Sequence, residues 1–359
     1  MVRRVAKRYW NELDLVCSTG VGLEALAPQV CRLLREIVGA DAGALFWVDE
    51  TGLPAGFFHE DTNAQARDLF VNAFEALFTG DMELNVATLV RFKGANCGHL
   101  LAPPDHYWRS NTYNLLVRAS GHRHTLDLRV DHEGRPRAII MLFRRRTDAF
   151  TQEHQILLQM ALPCLRKAFI KPPGADRWSE TAPPAYIITD RNGETLKFAT
   201  EAAHLLLQQG NQVAQGVPAS GPLIVPPLFV RALCQRLVDE ARPSQLLPSA
   251  HGRLRVSAEY LSGPQTGQAA VLVTLVSEVP DRLALVTQVL DLDLSPRQKS
   301  ILLAAVSGVS RAQATQATGT SPEAMKKHLM AIFTATGVHS WQDLQQRFTA
   351  KTGHDGLSA

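Results

Sequence analysis

Apolar residues recur along the chain at two distinct periods. Over residues 23–38, Leu26, Val30, Leu33, Leu34 and Ile37 fall every three or four positions, the spacing of one helix face. Ala44-Leu45-Phe46-Trp47-Val48-Asp49 is instead a continuous apolar run, which predicts a strand, and Glu50-Thr51-Gly52 predicts the turn after it. Runs over 125–130 and 137–143 flank Asp131-His132-Glu133-Gly134, so a hairpin with a glycine-containing turn is expected there. Thr151 then stands as the cap of one long helix, with Ile156, Leu157, Met160, Leu165 and Phe169 on its inner face.

Two breaks divide the chain. Lys171-Pro172-Pro173-Gly174 and, further on, Pro183-Pro184 bound a polar stretch. Proline has no backbone donor and disfavours helix in the residue before it, so this stretch is expected to be a linker. Ala185-Tyr186-Ile187-Ile188-Thr189-Asp190, then Arg191-Asn192-Gly193-Glu194, then Thr195-Leu196-Lys197-Phe198-Ala199 predicts strand, tight turn and strand. A helix carrying Ala202, Ala203, Leu205 and Leu206 follows, and two final strands over 253–261 and 269–277 are joined by Ser262-Gly263-Pro264-Gln265-Thr266-Gly267. The second break is Val279-Pro280-Asp281, which opens a short helix with Leu283, Val286 and Leu290 on one side. That helix is either a plain linker or a signalling and dimerisation helix.

From Leu294 the pattern predicts four short helices. Ser295-Pro296 is a cap followed by proline in the first turn, and Ile301, Leu302 and Ala305 supply the inner stripe. Gly308 ends this helix, Ser310 caps the next, which carries Ala314 and Ala317, and Gly319 closes it. Ser321-Pro322 repeats the start signal for a third helix. Met325, Leu329, Ile332 and Phe333 line its inner face, which leaves Lys326, Lys327, Met330 and Thr334 outward. Gly337 ends it, and Ser340 caps a fourth helix with Leu344 and Phe348 inward.

Bulk composition changes this picture in few places. The 359 residues suggest two or three domains, and 45% hydrophobic with 20% charged residues is the composition of a globular protein. No apolar run approaches the roughly 20 residues of a membrane span, and the basic start of the chain is not followed by a signal-peptide core. Five scattered cysteines without a CxxC pair fit a reducing compartment, so a cytoplasmic protein with no membrane partner is expected. The net charge is only +3, yet residues 294–351 hold seven Lys and Arg against Glu323 and Asp343. Basic charge is therefore local to the C-terminal helices, where phosphates would lie.

Candidate chemistry is sparse elsewhere. There is no GxSxG, P-loop or GxGxxG, and the acidic patch of a phosphate-receiving domain cannot be assembled, so no enzyme and no cofactor are expected. Cys97, His99, His106, His122, His124 and His132 are dense in ligand atoms but lack any recognised metal spacing, and no metal is expected. Cys97 reads as an inert thiol. The aromatic set around Phe46 and Tyr113 reads mainly as core, with Phe46, Phe58, Tyr107 and Trp108 as candidates to wall a ligand pocket.

Residues 294–348 resemble the LuxR-type helix-turn-helix of bacterial transcriptional regulators. Leu294, Pro296, Arg297, Leu302, Gly308, Ser310, Gly319, Ser321, Pro322, Lys326, Lys327, His328, Leu329, Ile332, Gly337, Val338 and Leu344 all stand at family positions. The resemblance implies that Lys326, Lys327 and Met330 face the major groove of double-stranded DNA. It also implies that Ser310, Arg311, Ser321 and His328 lie near backbone phosphates, with Thr334 further along the same free face. Departures are Gln298 for an acid, Gln313-Ala314-Thr315 for Glu-Ile-Ala, Ala324 for Thr, and Thr334-Ala335 for a basic pair.

Residues 1–171 resemble a GAF domain through Ala40-Asp41-Ala42-Gly43 and Ala149-Phe150-Thr151-Gln152-Glu153-His154, and residues 184–278 resemble a PAS domain through their hairpin and final strands. The expected architecture is thus multidomain α+β plus all-α: a GAF-like and a PAS-like sensor domain, a linker or signalling helix over 281–293, and a four-helix LuxR-type module over 294–359. The expected function is a homodimeric, sequence-specific DNA-binding regulator controlled by a small ligand or protein partner. The alternative is an interaction scaffold whose helix-turn-helix no longer reads DNA.

Overall fold

A four-stranded antiparallel sheet separates two apolar cores in the N-terminal third of the chain. The computed structural model describes residues 2–171, 177–213, 215–218, 221–250, 252–262 and 269–349. The linker residues 172–174, the connection 263–267, the expected extension of the last module to 359 and its Lys351 lie outside the described residues. The chain opens with α1 (Val2–Cys17), α2 (Ala27–Val38), β1 (Ala42–Val48), β2 (Pro54–His59), α3 (Ala64–Asn72), α4 (Phe74–Leu77) and α5 (Val86–Arg91). A 3-10 turn at Asp105–Arg109 and a π-helical segment at Thr112–Arg118 precede β3 (His124–His132), β4 (Arg135–Arg144), α6 (Gln152–Gln159) and α7 (Leu162–Lys167). The strand order is β2-β1-β4-β3.

The continuous apolar run of β1 follows from burial on both faces. Leu45 and Trp47 pack with α1, α2, α6 and α7 residues on one side, whereas Ala44 and Phe46 pack with α3, α4 and α5 residues on the other. Strand side chains alternate between faces, so a strand covered on both sides needs no polar positions. The helix over 2–17 was not foreseen; it contributes Leu13, Val16 and Cys17 to the first core. The single long helix expected after Thr151 is in fact two. Pro163 lies in the first turn of α7, where it can neither donate to the preceding turn nor clear the carbonyl four residues back. The axis therefore breaks at Met160-Ala161, and Ile156 and Met160 are 54% and 58% exposed, while Leu158, Leu162 and Leu165 are buried.

The middle third builds a second antiparallel sheet. Its elements are β5 (Trp178–Glu180), β6 (Ala185–Asp190), β7 (Leu196–Ala199), α8 (Glu201–Gly210), α9 (Leu228–Arg236), β8 (Ser244–Ser249), β9 (Gly252–Ser262) and β10 (Ala269–Pro280). The order is β7-β6-β10-β9-β8, with β5 also on β10. The hairpin and the long β9–β10 pair stand where the pattern puts them; β8 and α9 carried no sequence signal. In the tight turn, Asp190 Oδ1 accepts from the Glu194 and Thr195 amides at 2.8 and 3.2 Å. Thr200 caps α8 by accepting from the Ala203 amide.

α10 (Asp281–Asp291) continues directly from β10 and ties the thirds together. Leu283 and Val286 enter the first core of the N-terminal sheet, and Val289 enters the core of the C-terminal helices. Those helices are α11 (Pro296–Val306), α12 (Arg311–Ala317), α13 (Pro322–Thr336) and α14 (Trp341–Thr349). The protein is therefore a mixed α/β chain with fourteen α-helices and two antiparallel sheets among the described residues. No helix is long and apolar enough to cross a membrane.

Candidate nucleic-acid interface and small-molecule cavity

Each C-terminal helix begins where a hydroxyl can satisfy free amides. Ser295 accepts from the Gln298 amide, and the Gln298 side chain returns a bond to the Ser295 amide at 2.7 Å. Ser310 and Gln313 repeat this box for α12, and Ser321 accepts from the Ala324 amide for α13. Gln298 and Gln313 are departures from the family pattern named above, yet both keep the capping bond without the charge. Gly319, at φ +56°, makes the turn between α12 and α13, a backbone state that L side chains rarely adopt.

The buried stripe is as the spacing predicts: Ile301, Leu302, Ala305, Ala314, Met325, Leu329, Ile332 and Leu344 are all covered. Ala317 is exposed. Lys326, Lys327, Met330 and Thr334 form the free face of α13, with Met330 71% exposed and Thr334 donating back to the Met330 carbonyl at 2.9 Å. Ser310 and Arg311 are exposed at the start of α12, Ser321 is exposed at the start of α13 beside the turn, and His328 is half-buried. Among the described residues, Arg311, Lys326 and Lys327 make no ion pair.

The local charge excess is smaller at the surface than the sequence count. Lys299 is 4% exposed, and its Nζ donates to the Leu290 carbonyl at 2.7 Å. Burial holds its ammonium below the usual lysine range, although Glu12 opposes that shift. Arg297 donates to the Thr318 carbonyl and Arg347 to the Thr336 carbonyl. Sequence counts charge but cannot see that Lys299 turns inward, while Arg297 and Arg347 stay exposed as they donate to helix-end carbonyls.

A cavity of about 50 Å³ lies on the far face of the N-terminal sheet, walled by Phe46, Phe57, Phe70, Met141 and Phe143. His59, Arg67, Asn85 and Thr112 add polar groups to it. One water needs about 10–15 Å³ of such space, so there is room for a few waters or a ligand of a few heavy atoms. Of the four expected wall residues, Phe46 lines it. Phe58 packs in the opposite core, and it is Phe57, directly across from Phe46, that faces the cavity. Tyr107 is buried in the same core without reaching the cavity, packed against Trp108 and Tyr113, and Trp108 is 40% exposed. Arg67 had no sequence signal. Its Nε is buried without a hydrogen-bond partner, and burial pulls its guanidinium below the usual arginine range. Apolar walls with one uncompensated cation suit a small anion.

A second, more polar cavity of about 230 Å³ opens where α1, α10 and α11 meet, lined by Arg8, Glu12, Asp291, Asp293 and Lys299 among others. Cys97 is buried, and burial pushes its thiol up to about 12, which keeps it out of the reactive thiolate form.

No family model matches the chain, and no curated protein does. Among solved structures it is similar to a phage VqmA–DPO complex at 15% identity, over 48% of this chain and 85% of that one, with a TM-score of 0.21. A Vibrio cholerae VqmA–ligand–DNA complex is similar at 13% identity over the same shares, with a TM-score of 0.25. The Vibrio cholerae VqmA dimer without target DNA, a structure concerned with LuxR-type receptors, is similar at 14% identity, 48% and 85% coverage and a TM-score of 0.18. Superpositions this loose assign no residue a role.

Proposed function

We propose that the chain is a DNA-binding transcriptional regulator that seats α13 in the major groove and is controlled by a small ligand in its N-terminal region. The observation that carries this reading is the exposure, without an ion pair among the described residues, of Lys326 and Lys327 on the free face of α13 and of Arg311 at the start of α12, while both helices bury their other faces. A groove about 12 Å wide admits one helix, and unpaired cations beside it gain from releasing phosphate counterions. Ser310, Ser321 and His328 would then lie near phosphates, with Met330 and Thr334 toward base edges. A single module presents few such cations among the described residues, so tight binding calls for a two-fold pair of chains on two half-sites. The GAF-like and PAS-like regions are read as the sensing part, with a small anionic ligand held by Arg67.

The scaffold reading has one observation in its favour, the large apolar Met330 at the middle of the free face. Selection of genomic DNA fragments by the purified full-length protein at two salt concentrations separates the two. Enrichment of a two-fold symmetric motif that weakens steeply with salt supports the regulator. Uniformly weak binding to every fragment supports the scaffold.

A further inference from the structure

We propose that His59, Asp61 and His122 form a binding site for a divalent transition-metal ion beside the N-terminal cavity. The three come from opposite edges of the sheet. His59 ends β2, Asp61 follows it by two residues, and His122 precedes β3. Both imidazoles lie flat against Phe143 on β4, at centroid distances of 4.9 and 4.8 Å, so one aromatic ring sets the orientation of both.

The distances leave room for an ion. His59 Nδ1 is 3.4 Å from Asp61 Oδ1, and His122 Nε2 is 3.2 Å from Asp61 Oδ2. All three ligand atoms lie within 4.8 Å of one another. Bonds of about 2.0–2.1 Å in tetrahedral geometry place ligand atoms roughly 3.3 Å apart, so closing on an ion needs only a small inward shift of the imidazoles.

Unsatisfied atoms give an independent indication. His59 Nδ1 lies 3.3 Å from the Asp61 amide and 3.4 Å from Asp61 Oδ1, and binding an ion would exchange the long amide contact for a metal bond. Asp61 Oδ1 is buried with no donor. His122 has a fully buried side chain whose Nδ1 also lacks a partner. A cation at Oδ1 would supply the partner that this buried oxygen lacks. Arg145 donates to Asp61 Oδ2, which fixes the carboxylate and leaves Oδ1 as the free ligand atom.

Two imidazoles and one carboxylate select ions of the zinc, cobalt or iron(II) kind over calcium or magnesium, which take oxygen cages. Three protein ligands leave at least one position open, and His59 lines the cavity, so a bound ion would stand at its wall. The sequence hid this site because the ligands are 63 residues apart at the extremes. His124, two residues from His122, takes no part and is paired with the Thr147 carbonyl.

The test uses the full chain stripped with chelator and titrated with Co²⁺ and Zn²⁺. The expected result is one ion per chain, visible Co²⁺ bands of low-symmetry coordination, and a rise in melting temperature with Zn²⁺. His59→Gln and Asp61→Asn, each checked for native circular dichroism, are expected to abolish the bands. Arg145→Ala, at an exposed side chain that leaves folding intact, is expected to weaken binding by about tenfold or more. Native protein without bands or thermal shift, or folded His59→Gln and Asp61→Asn variants that bind as well as the native chain, would overturn the site. None of these readouts involves DNA, so the metal site and the regulator reading stand or fall separately.

Discussion

Arg67 and Glu278 are both charged groups taken out of water, with opposite consequences. Glu278 is 6% exposed, and burial by itself pushes its carboxyl up. Hydrogen bonds from Arg255 and Arg253, each at 2.6 Å, outweigh this and hold it below its ordinary value of 4.5. With a folded value below the unfolded one, the pair stabilises the fold above pH 4.5 and loses that contribution as pH falls through the folded value. Glu278→Gln is therefore expected to lower the neutral-pH melting temperature and to flatten its acid decline, measured by thermal melts across the acid range. Arg67 has no such partner for its Nε. Arg67→Met is expected to leave stability unchanged or raise it by about 1 kcal/mol, because an uncompensated charge is removed from a part-buried site. The same variant should lose any thermal stabilisation by small carboxylates, and retained stabilisation would contradict the role given to Arg67. Residue-scale placement was only partly legible in the sequence. The exposure of Lys326 and Lys327 was legible, because Ser321-Pro322 and Gly337 fix the register of the helix that carries them. Phe57 against Phe58 was not, since either can face the cavity until the pairing with Phe46 is known.

Elements were legible where punctuation and period agree. The four C-terminal helices have a serine cap at each start and a glycine at three of their boundaries, so tertiary contacts had little left to decide. The 151–170 stretch misled because its apolar positions continue across Pro163 while the backbone cannot. α9 and β8 were silent because the polar interruptions around them match neither period. One turn offers a direct check. Gly193 has φ +72°, and a Cβ there would lie 2.8 Å from Cys234 Sγ and 3.1 Å from the Arg231 Cα. Strain and clash add, so Gly193→Ala is expected to cost about 2–3 kcal/mol in urea unfolding. A loss under about 1 kcal/mol would mean that the β6–β7 turn relaxes freely.

At the scale of the whole molecule the question is how the N-terminal cavity could reach α13. α10 is the physical link, with Leu283 and Val286 in one core and Val289 in another. α11 is joined to it again by the Lys299 bond to the Leu290 carbonyl. A ligand shifts DNA affinity only by the difference in its own affinity for two placements of these helices. Leu283→Ala is expected to cost about 2–5 kcal/mol as a buried truncation, and to change DNA affinity although it is remote from α13. Unchanged DNA affinity in the folded variant would argue against coupling through α10.

The regulator reading rests most directly on the charge that α13 presents. Its sharpest test is the salt dependence of binding to the best selected DNA fragment, for the native chain and for the Lys326→Ala, Lys327→Ala pair. Each phosphate contact contributes about 0.9 to the slope of log affinity against log salt, so the double variant is expected to bind more weakly and to lose about 2 from the slope per chain. Equal affinity and equal slope in the two proteins would contradict the placement of α13 on DNA.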